Sequence, residues 1–210
     1  MMKKLFLIVI VAGLTISAFA QNDKKATAIL DEVSAKTKAY KTIKIEFTYA
    51  MDNVKEKIHD KFKGSLISKG DKYKLTAAGQ DVISDGKTVW TYLKDAKEVQ
   101  INNVGEDDDS FTPTKLLSGY NKDFKSKFIE EKGNDQVIEL YPLKKGKSFT
   151  KVRLTIDKNK KQISKFVIYD RSGSTFSYIV DKFVADQPIA DNVFSFNKAE
   201  HPGVEMNDMR

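Results

Sequence analysis

From Thr42 onward the chain is written in short alternating runs broken by tight-turn dipeptides, and that pattern permits little besides an antiparallel sheet. In Thr42–Met51, Ile43, Ile45, Phe47, Tyr49 and Met51 fall on one side and Lys44, Glu46 and Thr48 on the other. A period of two places alternate side chains on opposite faces of a strand. Further strands are expected at Lys61–Lys69, Lys72–Ala77, Val82–Ser84, Lys87–Leu93, Glu98–Asn102, Phe124–Glu130, Gln136–Pro142, Phe149–Asp157, Gln162–Asp170, Thr175–Val184 and Val193–Asn197. Their connectors carry Gly70-Asp71, Asp85-Gly86, Gly133-Asn134, Lys145-Gly146 and Ser172-Gly173, residues that turn tightly. About eleven strands result, and a single sheet of that length curls to protect its edges.

Two segments break the strand pattern. Ala26, Ile29, Leu30, Val33, Thr37 and Tyr40 recur at three- and four-residue steps, which predicts one helix with an apolar stripe before the first strand. Thr112-Pro113-Thr114-Lys115-Leu116-Leu117 reads as the start of a second, short helix, with Thr112 as cap and Pro113 in the first turn. The expected architecture is mostly β: one antiparallel barrel or strongly bent sheet, capped by the N-terminal helix and the short second helix. With no repeat and no long linker, residues 21–197 are expected to form one domain, followed by a polar, frayed tail at 198–210.

Residues 1–20 read as a secretory leader. A Met1-Met2-Lys3-Lys4 start is followed by an apolar run from Leu5 to Ile16, and Ala18-Phe19-Ala20 offers the small residues of a cleavage site before Gln21. The run falls short of the roughly 20 apolar residues a membrane span needs. The product is therefore expected to be exported and soluble. Without any cysteine it has no disulfides, no thiolate zinc site and no N-terminal lipid anchor of its own. Such a domain must be held by its core.

Composition narrows the function. Loss of Lys3 and Lys4 with the leader lowers the net charge from +7 to +5, and both signs are interspersed along the chain. A nucleic-acid binder would show a clustered basic stripe, so none is expected as a partner. Catalytic material is sparse. His59 and His201 are the only histidines, both in polar surroundings and expected to be solvated. There is no Gly-x-Ser-x-Gly elbow and no glycine-rich phosphate loop. The acidic run Glu106–Asp109 lacks the alternating ligands and distal Glu of a calcium loop. No catalytic residue, metal or cofactor is nominated. What is plentiful is aromatic and branched apolar surface on strands. Trp90 and Tyr92 oppose Val89 and Leu93; Phe166 and Ile168 oppose Val167 and Tyr169; Phe176 and Tyr178 oppose Ile179. Apolar residues on both faces mean burial on both sides, or a cavity on one.

Several stretches resemble the periplasmic outer-membrane lipoprotein carrier family. Val82-Ile83-Ser84-Asp85-Gly86-Lys87-Thr88-Val89-Trp90-Thr91-Tyr92 is similar to that family's Ser-Asp-Gly-Lys-x-x-Trp-x-Tyr hairpin. Thr112-Pro113-x-x-Leu116-Leu117 resembles its lid helix, and Asp191-Asn192-Val193-Phe194-Ser195-Phe196 with Pro202-Gly203-Val204 its closing strand and tail. The resemblance implies an incomplete barrel lidded over an apolar cavity. It also implies a periplasmic monomer that takes lipoprotein acyl chains from an inner-membrane release complex to an outer-membrane acceptor. Carried over by position, Ile29, Leu30 and Val33 of the helix and Leu116 and Leu117 of the lid would close the cavity. Phe47, Tyr49, Tyr73, Trp90 and Tyr92 are candidates for its lining. Where the family has a lid-holding arginine this chain has Lys69-Gly70-Asp71, so Lys69 is the only basic candidate for a lid latch. Two rival functions stay open: a carrier or sensor for a free lipid or glycolipid, and an exported enzyme whose site assembles only in space.

Overall fold

The structure is a computed structural model that describes residues 17–105 and 123–210, with side chains described from Lys24 onward. One helix, α1 (Ser17–Ala39), precedes strands β1 (Ile43–Asn53), β2 (Ile58–Lys69), β3 (Lys72–Ala77), β4 (Gln80–Ser84), β5 (Thr88–Leu93) and β6 (Glu98–Asn103). Then follow β7 (Phe124–Lys132), β8 (Asp135–Pro142), β9 (Phe149–Asp157), β10 (Gln162–Asp170), β11 (Thr175–Ala185) and β12 (Glu205–Asp208). All twelve strands belong to one sheet in the order β12-β6-β5-β4-β3-β2-β1-β11-β10-β9-β8-β7. Its ends, β12 and β7, do not pair with each other, so the barrel is incomplete.

Every neighbouring pair except β12–β6 is antiparallel, and strands adjacent in both sequence and sheet are joined by short connections. At Asp85-Gly86 the Asp85 carboxylate accepts the backbone N–H groups of Lys87 and Thr88, and Gly86 takes φ +93°, a region that favours glycine. The long-range closure is β1 against β11, which brings the first strand into the middle of the sheet and divides it into two halves. A bulge opposite Glu46/Phe47 adds one residue to β11 and keeps alternate side chains on the same face on either side of it.

Register assigns each side chain to a face. Ile43, Ile45, Phe47 and Tyr49 of β1 pair with Ser68, Leu66, Gly64 and Phe62 of β2. Tyr73 and Leu75 of β3 and Val82 of β4 continue that face. On the other side it runs through Phe176, Tyr178 and Val180 of β11, Phe166 and Ile168 of β10, Leu154 and Val152 of β9, and Ile138 and Leu140 of β8. This is the inner face, because α1 lies on it: Ala26, Leu30 and Val33 pack with Ile138, Leu140, Val152, Leu154 and Ile156 in the main core. The polar side of α1 is tied by ion pairs of Lys25 with Glu131 and of Glu32 with Lys161. Lys36 and Lys38 sit in its last turn, where they complement the helix dipole.

The C-terminal segment departs from the sequence expectation. Val193–Asn197 is not a strand; Asp191–Phe194 and Lys198–Glu200 are single 3-10 turns. Residues 198–210 are not frayed either. β12 adds to β6 in parallel, fixed by Glu205 N–H to Lys97 O (2.9 Å) and Met209 N–H to Ile101 O (2.9 Å). The reason is apolar burial on the outer face: Val204, Phe196 and Met206 cover Val99, Ile101, Trp90 and Tyr92.

Candidate functional site: the inner face

α1 covers only the β7–β10 half of the inner face, leaving a second apolar cluster beside it. Ile43, Ile45, Phe47, Leu66 and Tyr73 are buried there, and Tyr49, Leu75, Ala77, Val82, Tyr178, Val180 and Phe183 are half-buried. Local pattern explains the placement, since each of these residues is the inward member of an alternating pair: Tyr178 points in, whereas Ile179 points out and is 39% exposed. The aromatic rings form a continuous stripe across four strands. Phe62 stacks on Tyr49 (6.2 Å between centroids), Tyr49 meets Tyr178 edge-on (5.0 Å), and Tyr178 stacks on Phe166 (4.3 Å, 11°). Such offset and edge contacts hold rings rigidly over an apolar floor.

Electrostatics agree with an apolar environment. Burial pushes the Tyr178 hydroxyl up to about 12, with a smaller contribution from Tyr49, and burial raises Tyr73 as well. Tyr49 is raised first by burial and then by the Asp60 carboxylate. The face disfavours charge and suits hydrocarbon rather than proton transfer. Among the described residues no group of three or more His, Asp or Glu gathers to hold a metal ion.

The sequence-predicted site residues divide into three groups. Phe47, Tyr49 and Tyr73 do lie together on the inner face. Leu30 and Val33 are fully enclosed between α1 and β8–β9, at 0% and 2% exposure, with Ile29 half-buried beside them; they seat the helix. Leu116, Leu117 and the acidic run 106–109 lie outside the described residues, as does most of the expected leader.

Trp90, Tyr92 and Lys69 lie on the outer face, away from the floor. Trp90 pairs with Ile83 and Ile101, and Tyr92 with Asp81 and Val99, which puts both rings on the outer face beneath the C-terminal segment. Alternation links Trp90 to Tyr92, but only register chooses their side. Lys69 also points outward. Its ammonium lies 2.8 Å from Asp191 and donates to Ile189 O, and Lys72 shares the same carboxylate at 3.3 Å. The pair of lysines holds Asp191 well below the usual carboxylate range through hydrogen bonds from Lys69 and then Lys72. Lys69 thus fastens the chain after β11 to the back of the sheet. His201 is not freely solvated, being stacked on Phe196 (4.7 Å) and close to Tyr92 (4.6 Å), whereas His59 is exposed and 2.9 Å from Asp52. Sequence reasoning misses Phe62, Phe166, Phe176, Tyr178, Val180 and Phe183 as site residues. Their alternation is visible, yet nothing in it says which side faces the helix.

The open sheet thus carries α1 on one half of its inner face and an aromatic apolar floor on the other. The model of one family, outer membrane lipoprotein carrier protein LolA, matches residues 19–197. The chain belongs to the LolA family. That family consists of lipoprotein carriers rather than enzymes. An outer-membrane lipoprotein carrier protein from Psychromonas ingrahamii is 29% identical over 97% of this chain and 98% of its own length. One of the same description from Pasteurella multocida is 30% identical over 64% of this chain and 63% of its own. The fold is shared with an uncharacterized conserved protein from Thermus thermophilus, at 13% identity and a TM-score of 0.60, covering 88% of this chain and 99% of that one. No helix among the described residues is long and apolar enough to cross a membrane.

Proposed function

We propose that this LolA-family chain is a periplasmic chaperone that binds lipoprotein acyl chains on its inner face. On this reading it ferries lipoproteins from an inner-membrane release complex to an outer-membrane acceptor. It acts as a monomer after removal of residues 1–20. The observation that carries this reading is the half-buried apolar floor of Tyr49, Leu75, Val82, Tyr178, Val180 and Phe183, which α1 leaves uncovered. An apolar, aromatic-lined concave face is the kind of surface on which ligand sites are built. An acyl chain of about 14 buried methylenes carries about 11 kcal/mol of burial free energy, at about 0.8 kcal/mol each, so it cannot cross water unaided. A rigid aromatic and branched floor offers matching surface, and Phe47 and Tyr73 extend it toward β3.

Mass spectrometry of lipids extracted from gently purified protein tests this. Triacylated peptide is the expected finding. A free lipid or glycolipid would instead make the chain a carrier of unattached lipid on the same floor. No lipid of either kind, from protein shown to be folded, would remove the carrier function.

A further inference from the structure

The inner floor is apolar but not featureless, because tyrosine hydroxyls stand within it. Tyr49 of β1 and Tyr178 of β11 are directly opposite in register, with ring centroids 5.0 Å apart. Both rings are locked, Tyr49 between Phe62 and Phe176, Tyr178 between Phe47 and Phe166. Neither hydroxyl has a hydrogen-bond partner among the described residues. Nor is either sealed: the one fully enclosed side-chain oxygen without a hydrogen bond there is Asp81 Oδ1, which faces Lys94 Nζ at 2.8 Å on the other side of the sheet. Both hydroxyls thus keep some accessible surface on the floor. A ligand that covers them displaces water, so each hydroxyl then needs an acceptor on the ligand to avoid the cost of an unpaired buried donor. Raised by burial, both stay protonated at neutral pH and so remain donors.

Resting on the carrier reading above, we propose that Tyr49 and Tyr178 select cargo by donating hydrogen bonds to acyl carbonyl oxygens. The preferred ligand is then an ester- or amide-linked acyl lipid, in which the carbonyl sits where hydrocarbon meets headgroup. The pair also sets orientation. Along β1 and β2 the face passes from the exposed Asp60 and Phe62 through Tyr49 to Phe47, Ile45 and Leu66. The headgroup then lies toward the β1–β2 hairpin and the chain ends lie over Phe47, Ile45 and Phe183.

A matched pair of lipids isolates the carbonyl. Binding of a diacyl ester glycerolipid and of its dialkyl ether analogue, which lacks only the two carbonyl groups, is measured for the native protein, Tyr49→Phe and Tyr178→Phe. The native protein is expected to prefer the ester by roughly three- to tenfold, the scale of one or two ordinary hydrogen bonds. Each substitution should lower ester affinity by roughly two- to tenfold and leave ether affinity unchanged. Equal binding of ester and ether by the native protein would overturn the proposal. So would substitutions that weaken both lipids alike, since that reports a disturbed floor rather than a lost donor. Binding of neither lipid by the folded native protein would instead defeat the carrier reading, and this inference would fall with it.

Discussion

The ring of Phe47 occupies the space that a side chain at Gly64 would need. A Cβ built on Gly64 would come within 2.4 Å of Phe47 Cζ and 2.8 Å of the Thr76 carbonyl oxygen. The aromatic floor therefore depends on a glycine in the neighbouring strand, directly opposite Phe47 in register. Gly64→Ala in a strand ordinarily gains about 0.4–1 kcal/mol by restricting the unfolded chain. Here the sign should reverse, to a loss of about 1–3 kcal/mol from overpacking. Urea unfolding measures it, and Phe47→Leu in the same background should restore part of the loss, the remainder belonging to Thr76.

Acid sensitivity should centre on Glu139. This carboxylate is 5% exposed on the outer face, where Lys151 and Arg153 approach Oε1 at 2.7 and 2.6 Å and Tyr141 donates to Oε2. Burial opposes ionisation, but the hydrogen bonds from Lys151, Tyr141 and Arg153 outweigh it and hold the group at about 2, below its ordinary 4.5. A depressed folded value contributes stability that is present above the unfolded pKa and fades as pH falls from about 4.5 toward 2. Glu139→Gln should cost about 2 kcal/mol at pH 7, discounted for the partly solvated partners, and almost nothing at pH 2. Unfolding midpoints of the two proteins across that range check the convergence.

How far the sequence reaches is visible at β5. Period-two alternation locates its strand and joins Trp90 to Tyr92, and the same logic sets β1, β9 and β10. Which side of the sheet they occupy is not a local property. It follows from the pairing of β1 with β11 and from where α1 docks, contacts between residues more than 100 positions apart. The last strand is hidden for a different reason: Glu205–Asp208 is polar, and only Val204 and Met206 tie it to the outer cluster.

Placement of Trp90, the single tryptophan, gives a spectroscopic test. Its ring packs under Val204 on the face opposite the floor. Its emission should hardly change when an acyl ligand binds. Deleting residues 203–210 should shift the emission to the red and raise acrylamide quenching, because β12 and Val204 no longer cover it. A large ligand-induced shift in the intact protein would contradict the assignment of faces.

Lys69→Ala should leave acyl-ligand affinity unchanged, because its ammonium serves Asp191 on the outer side. Its effect should appear as faster amide exchange in residues 189–194, the segment that Lys69 and Lys72 hold. A loss of affinity with unaltered exchange there would mean that Lys69 acts on the ligand side.

The most direct measurement is release of a radiolabelled lipoprotein from inner-membrane vesicles into the soluble fraction. Three proteins are compared: native, Val180→Asp on the floor, and Ile179→Asp on the adjacent outer position. The account predicts that native protein and Ile179→Asp retain lipoprotein in solution while Val180→Asp, still folded, leaves it in the vesicles. Equal retention by all three, or none by the native protein, would contradict an apolar inner floor as the place where cargo is carried.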